Sequence, residues 1–126
     1  MESPTSMKVL EGYAHYSPEG VVTFDETVAL IAQAIRFCRD HQIALLLVDS
    51  RKLTGFPPPL LPERYWMAQE WASAAKGTVI LSLVARTELI DQQRFGLLAA
   101  KNAGLTAFIS DSNTEALAWL LEHKTH

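Results

Sequence analysis

A single cysteine, Cys38, occurs in the 126-residue chain. One thiol closes no internal disulfide, so the fold must rest on its core, and the usage fits a reducing compartment. Positive charge is not in excess either: 11 Lys and Arg stand against 14 Asp and Glu, a formal charge of -3, and the cations are scattered. Phosphate contacts need a concentrated basic surface, so a nucleic-acid-binding role is excluded. No apolar run approaches the ~20 residues that cross a bilayer, which excludes membrane insertion. Residues Met1–Ser6 carry neither the basic start nor the apolar stretch of a secretory leader, and cytoplasmic residence is the expectation. Also missing are a glycine-rich phosphate loop, a dinucleotide fingerprint, and His, Cys or carboxylate pairs at metal-ligand spacing. No cofactor and no metal are expected.

What is present is enough apolar material, 48% of residues, for one core of ordinary size. A loose terminus over 1–6 and a single domain over 7–124 are expected, with no linker and no internal repeat. The chain is organised around Ile43-Ala-Leu-Leu-Leu-Val48, six apolar residues without alternation. Such a run suits a strand covered on both faces, as in a parallel sheet flanked by helices. It delivers a polar loop, Asp49 to Gly55, that stiffens into Phe56-Pro57-Pro58-Pro59.

The other elements follow from local signals. Ser17-Pro-Glu-Gly20 predicts a turn between extended segments at 8–16 and 21–23, giving a hairpin at one end of the sheet. Thr23-Phe-Asp-Glu26 is a capping box that opens a helix ending near His41, with Val28, Ile31, Ile35 and Cys38 inward. A second helix over 63–76 has Pro62 in its first turn and Gly77 as its stop, with Leu61, Tyr65, Ala68, Ala72 and Ala75 inward and Trp71 at the edge. Thr78–Ala85 repeats the buried-strand pattern. A third helix capped by Asp91 runs to Asn102, with Phe95, Leu98 and Ala99 inward, Gly96 in close contact and Gly104 as its left-handed stop. Thr106–Ser110 is a short strand, and Ser112-Asn-Thr-Glu115 caps a last helix that carries Ala116, Leu117, Leu120 and Leu121 on one apolar face. The fold class is α/β: a mixed sheet of four or five strands with about four helices, mainly on one face.

Ligands of open α/β sheets gather where parallel strands end. The ends here offer Asp49 and Ser50, Arg86 and Thr87, and Ser110 and Asp111, a set suited to a small polar ligand. The same residue types serve equally as ordinary caps and turns. Nucleophilic chemistry would need Ser50 or Cys38 beside a base, yet His15, His41, His123 and His126 fall elsewhere. No catalytic residue is assigned. The group Phe56, Pro57, Pro58, Pro59, Tyr65, Trp66, Met67 and Trp71 is the second candidate. Trp66 and Met67 cannot both share the inward stripe with Tyr65 and Ala68, so part of this helix presents apolar surface to a partner or a second copy.

The order of elements, with Leu46-Leu-Val-Asp49 leading to Leu53-Thr-Gly55, then Ala85-Arg86, Phe95-Gly96, Ala99-Ala-Lys-Asn-Ala-Gly104 and Phe108 through Leu120, resembles the STAS domain (sulfate transporter and anti-sigma factor antagonist), in its SpoIIAA-like branch. The resemblance covers nearly the whole chain. It implies a regulatory, non-catalytic interaction module. Family members that act on anti-sigma factors carry an Asp-Ser pair after the strand-ending Asp, and the serine is phosphorylated. The matching positions here are Pro57 and Pro58, which have no hydroxyl, while Ser50 comes too early, so that switch is not expected. Two other readings remain beside the module: a small-ligand sensor with a pocket at the strand ends, and an enzyme whose paired groups the sequence does not display.

Overall fold

The computed structural model describes residues 5–90 and 95–124. Two short strands, β1 (Met7–Leu10) and β2 (Tyr13–Tyr16), pair antiparallel, with Val9 opposite Ala14. The tight turn between them is at Glu11-Gly12, where Gly12 takes φ 89°. The hairpin is therefore one turn earlier than expected. The Ser17–Gly20 turn instead leads into β3 (Gly20–Val21), which pairs parallel with β5 (Leu53–Thr54) as a separate two-stranded ribbon. A seven-residue gap separates Gly12 from Gly20 in sequence, and both glycines have positive φ. The stronger-looking Pro-Gly signal marks an exit from the sheet, while the hairpin needs only the one left-handed residue.

Helix α1 (Phe24–Asp40) begins as the capping box requires: the Glu26 N–H donates to Thr23 Oγ1 at 3.1 Å, and the Thr23 N–H donates to Glu26 Oε1 at 2.9 Å. Val28, Ile31, Ile35 and Cys38 are all buried. Burial pushes the Cys38 thiol pKa up to about 12, so it is a neutral packing group and a poor nucleophile. The central strand β4 (Leu45–Asp49) lies between β2 and β6 (Ile80–Val84), parallel to both, and β7 (Ala107–Ser110) completes the order β1-β2-β4-β6-β7.

Alternate residues of β4 enter different cores. Leu46 and Val48 pack with α1 and with α2 (Leu61–Ala75), whereas Leu45 and Leu47 pack with Ala116 and Leu120 of α4 (Asn113–Leu121). A strand covered on both sides has no polar face to alternate with, which is why its sequence is continuously apolar. Helices α1, α2 and α3 (Phe95–Asn102) lie in one layer, since α2 touches both of the others, and α4 lies alone on the opposite face. Ser82, wholly buried toward α4, donates its hydroxyl to the Ala116 carbonyl at 2.8 Å and so joins β6 to that helix. This mixed five-stranded sheet with four helices is the expected α/β class and is consistent with a STAS-like fold.

Three apolar stripes differ from expectation, the simplest being α4, where Ala116 and Leu120 are buried but Leu121 is exposed. In α2 the buried residues are Met67, Ala68, Trp71, Ala74 and Ala75, while Leu61 and Tyr65 are exposed. The stripe is rotated because Trp71 has a buried carbonyl to meet: its indole N–H donates to Val28 O at 3.1 Å. A buried indole without that partner would be costly. In α3, Ala99 and Ala100 are buried but Leu98 is 49% exposed. The cap expected at Asp91, the inward placement of Phe95 and the close contact at Gly96 lie outside the described residues and side chains. Gly104 is left-handed, φ 89°, as expected of a helix stop.

Candidate functional site

The loop from Ser50 to Leu60 is held along its length. The Ser50 N–H and hydroxyl both donate to Val84 O, at 2.8 and 2.9 Å, which fixes the loop to the end of the neighbouring strand. Leu53 is fully buried, and the β3–β5 ribbon adds Gly20 N–H to Lys52 O at 3.1 Å and Val22 N–H to Thr54 O at 2.7 Å. Gly55 then turns with φ 104°, where a Cβ would stand 2.8 Å from Val22 O, so only glycine fits. Phe56 lands edge-on against Phe24, the first residue of α1, with centroids 6.2 Å apart, and the Arg86 guanidinium lies 5.9 Å from its ring centroid. Phe24 is also 6.2 Å from the Trp66 ring. The proline segment is thus clamped between the start of α1 and the start of α2. Helix α2 itself begins with Leu60 N–H donating to Glu63 Oε1 at 2.7 Å, half of a capping box, with Pro62 in the first turn where no N–H is needed.

This clamp leaves apolar side chains in solvent. Pro57 and Pro58 are exposed, Leu60 is 70% exposed, and Leu61, Tyr65 and Trp66 form the exposed face of the first turns of α2. Phe56 and Pro59 are half-buried. Met67 and Trp71, which the sequence placed on the same prospective contact face, are instead core residues. Leu60 and Leu61 belong to the exposed set and were missed. Their signal was available, since two leucines directly before Pro62 precede the first inward turn.

Beside the patch, between α1, α2 and the ends of β4 and β6, is a narrow cleft of ≈ 50 Å³. Phe24, Phe56, Pro59, Met67 and Trp71 form most of its wall. Its polar neighbours are already engaged: Thr27 donates its hydroxyl to Thr23 O at 3.0 Å, Ser50 to Val84 O, and Arg64 donates to Leu89 O at 3.2 Å. The space is about that of one or two waters, far below the roughly 300 Å³ at which small-molecule pockets begin.

The parallel strand ends do bring Asp49 and Ser50, Arg86, and Ser110 and Asp111 to one end of the sheet, since Asp49 is in register with Val84 and Val84 with Ser110. Most of their polar atoms are committed locally, however, the exception being Arg86 Nε, which is buried without a hydrogen-bond partner among the described residues. Asp49 accepts from Arg51 Nε at 2.9 Å and Nη2 at 2.7 Å, and from the Arg51 N–H at 3.1 Å. These bonds hold its carboxyl pKa below the ordinary value. Arg86 pairs with Glu88 at 3.2 Å, Asp111 accepts from the Thr87 hydroxyl at 2.9 Å, and Ser110 Oγ accepts from the Ser112 N–H at 3.0 Å. Asp49 and Ser50 are adjacent on an extended chain, and Ser50 lines the cleft on the α1–α2 side, so the two face apart.

Of the three described histidines, His41 and His123 are engaged with their own surroundings, whereas the Nε2 of His15 is buried without a hydrogen-bond partner among the described residues. His41 stacks on Phe37 at 4.1 Å and shares a hydrogen bond with Phe37 O, and His123 lies tilted against the Trp119 ring at 4.3 Å and shares a hydrogen bond with Trp119 O. His15 is on β2, opposite Leu47. Among the described residues no group of three His, Cys, Asp or Glu side chains is placed to hold a metal ion. Nor is any described helix long and apolar enough to cross a membrane.

Comparison with family models, with curated proteins and with solved structures finds no match to this chain.

Proposed function

We propose that the protein is a non-catalytic, cytoplasmic regulatory module of the STAS type that binds a protein partner through the proline loop and the outward face of α2. The observation that carries this reading is the exposure of Leu60, Leu61, Tyr65 and Trp66 beside Pro57 and Pro58. Aromatic and leucine side chains in solvent cost free energy that burial against a partner recovers, at about 25 cal/mol per Å². The proline rim is already ordered, so docking loses little loop entropy. With prolines at 57 and 58, the loop has no hydroxyl at the positions where the anti-sigma-directed members of that family carry their phosphorylated serine, so that particular switch is not part of this reading. A small-ligand sensor finds less support, because the adjacent cleft is too small and its polar groups are taken.

The test is parallel capture from native lysate with the wild-type protein, Trp66→Ala, and an exposed control, Glu122→Gln. One protein retained by wild type and control but lost with Trp66→Ala is the expected result. Identical retention by all three would place the contact elsewhere.

A further inference from the structure

At the far end of α2 from the aromatic patch, a second and roomier cleft of ≈ 190 Å³ opens between the last turns of α1 and α2. It is lined by Arg36, Arg39 and Lys76, with Ser73 and a single carboxylate, Glu70. Arg36 and Arg39 are three residues apart on α1, so their like charges share one side of the helix. Arg39 is fixed there: its Nη1 donates to Ala74 O at 2.8 Å and its Nε to Asp40 at 3.2 Å, which ties the ends of the two helices together. Arg36 and Lys76 are exposed, and neither side chain has a hydrogen-bond or ion-pair partner among the described residues. Glu70 lines the same space and makes no ion pair within 4.0 Å with any of the three cations. Lys76 also adopts a left-handed conformation, φ 48° and ψ 38°, that glycine would take without strain, although Gly77 follows immediately.

We infer that this cleft is a binding site for a phosphate-sized oxyanion, inorganic phosphate or a phosphate monoester, held by Arg36, Arg39 and Lys76 with the Ser73 hydroxyl as a further donor. The volume admits a phosphate group with part of its hydration, and guanidinium groups bind its oxygens in paired hydrogen bonds. Opposing this, the carbonyl ends of both helices face the same region and disfavour an anion. The site is therefore expected to be weak, in the millimolar range, and to depend on salt. Glu70 in the cleft wall and Asp40 on the Arg39 guanidinium are the built-in limits on its affinity. The inference is independent of the partner surface, which lies at the other end of α2.

The probe is inorganic phosphate, titrated into the 15N-labelled full chain at neutral pH and constant ionic strength, with chloride as the exchanged anion. Saturable amide shifts centred on residues 36, 39, 73 and 76 are expected. The Arg36→Gln/Lys76→Gln double variant should weaken binding by at least about tenfold, the effect of losing one charged contact, and Glu70→Gln should tighten it several-fold. Both variants change exposed side chains, and their unperturbed amide spectra elsewhere establish that they fold. Absence of saturation, shifts equal to those given by chloride, or an affinity unaltered in both variants would overturn the site and leave these cations as neutralisers of the helix ends.

Discussion

Trp66 and Trp71 sit five positions apart on one helix and do opposite things. Trp71 fills the space between α1 and α2 and satisfies Val28 O, whereas Trp66 is 39% exposed and touches Phe24 from outside. Trp71→Ala should cost about 3–5 kcal/mol, mainly through the cavity it leaves, since Val28 O lies inside α1 and keeps its helical donor. Trp66→Ala should cost no more than about 1 kcal/mol. Urea denaturation of the two variants checks this, and comparable losses would mean that Trp66 is structural. Asp49 gives the pH dependence. Its folded pKa lies below the unfolded value because Arg51 binds the charged form, so its contribution is fully present above about pH 4, the unfolded value, and is lost as pH falls through the lower folded value. Asp49→Asn should therefore lower stability at neutral pH and flatten the decline below about pH 4. The effect is small because Arg51 is 43% exposed and solvent screens the pair. An acid limb unchanged by the substitution would show that the bond does not distinguish the two states.

At the level of elements, the loop between β4 and α2 depends on the small β3–β5 ribbon. Gly55→Ala must force either the left-handed turn or the Val22 carbonyl to move, and a loss above about 1 kcal/mol is expected with local loosening of the loop. Hydrogen exchange should show amide protection falling at residues 53 and 54 while β4 stays protected. The ribbon was not legible in the sequence, because two-residue strands carry no periodicity. The capping boxes and the continuous apolar runs were legible, since those patterns arise from backbone chemistry at the residues themselves. The rotated stripe of α2 was not. Its alanines fit either of two adjacent faces, and the choice is made by a carbonyl on α1 that is distant in sequence. For the same reason the sequence grouped Met67 and Trp71 with Trp66.

The described residues place two cores on either side of one mixed sheet, with three helices on one side and one on the other. That asymmetry leaves the start of α2 at the margin of its layer, where the loop following the central strand meets solvent. The candidate strand-end residues were identifiable from strand position alone. Their commitments were not read, although most are made two residues along the chain, Asp49 with Arg51, Arg86 with Glu88 and Ser110 with Ser112; only the Thr87–Asp111 bond depends on the register of β6 and β7. The central claim is that the margin formed by the proline loop and α2 touches another protein, and site-specific photocrosslinking in native cells tests it most directly. With Trp66→p-benzoylphenylalanine, light should produce one discrete adduct whose mass identifies a partner or a second copy of the chain. The same group at Leu121, exposed on α4, should give none. No adduct at 66, or the same products from both positions, would contradict the account.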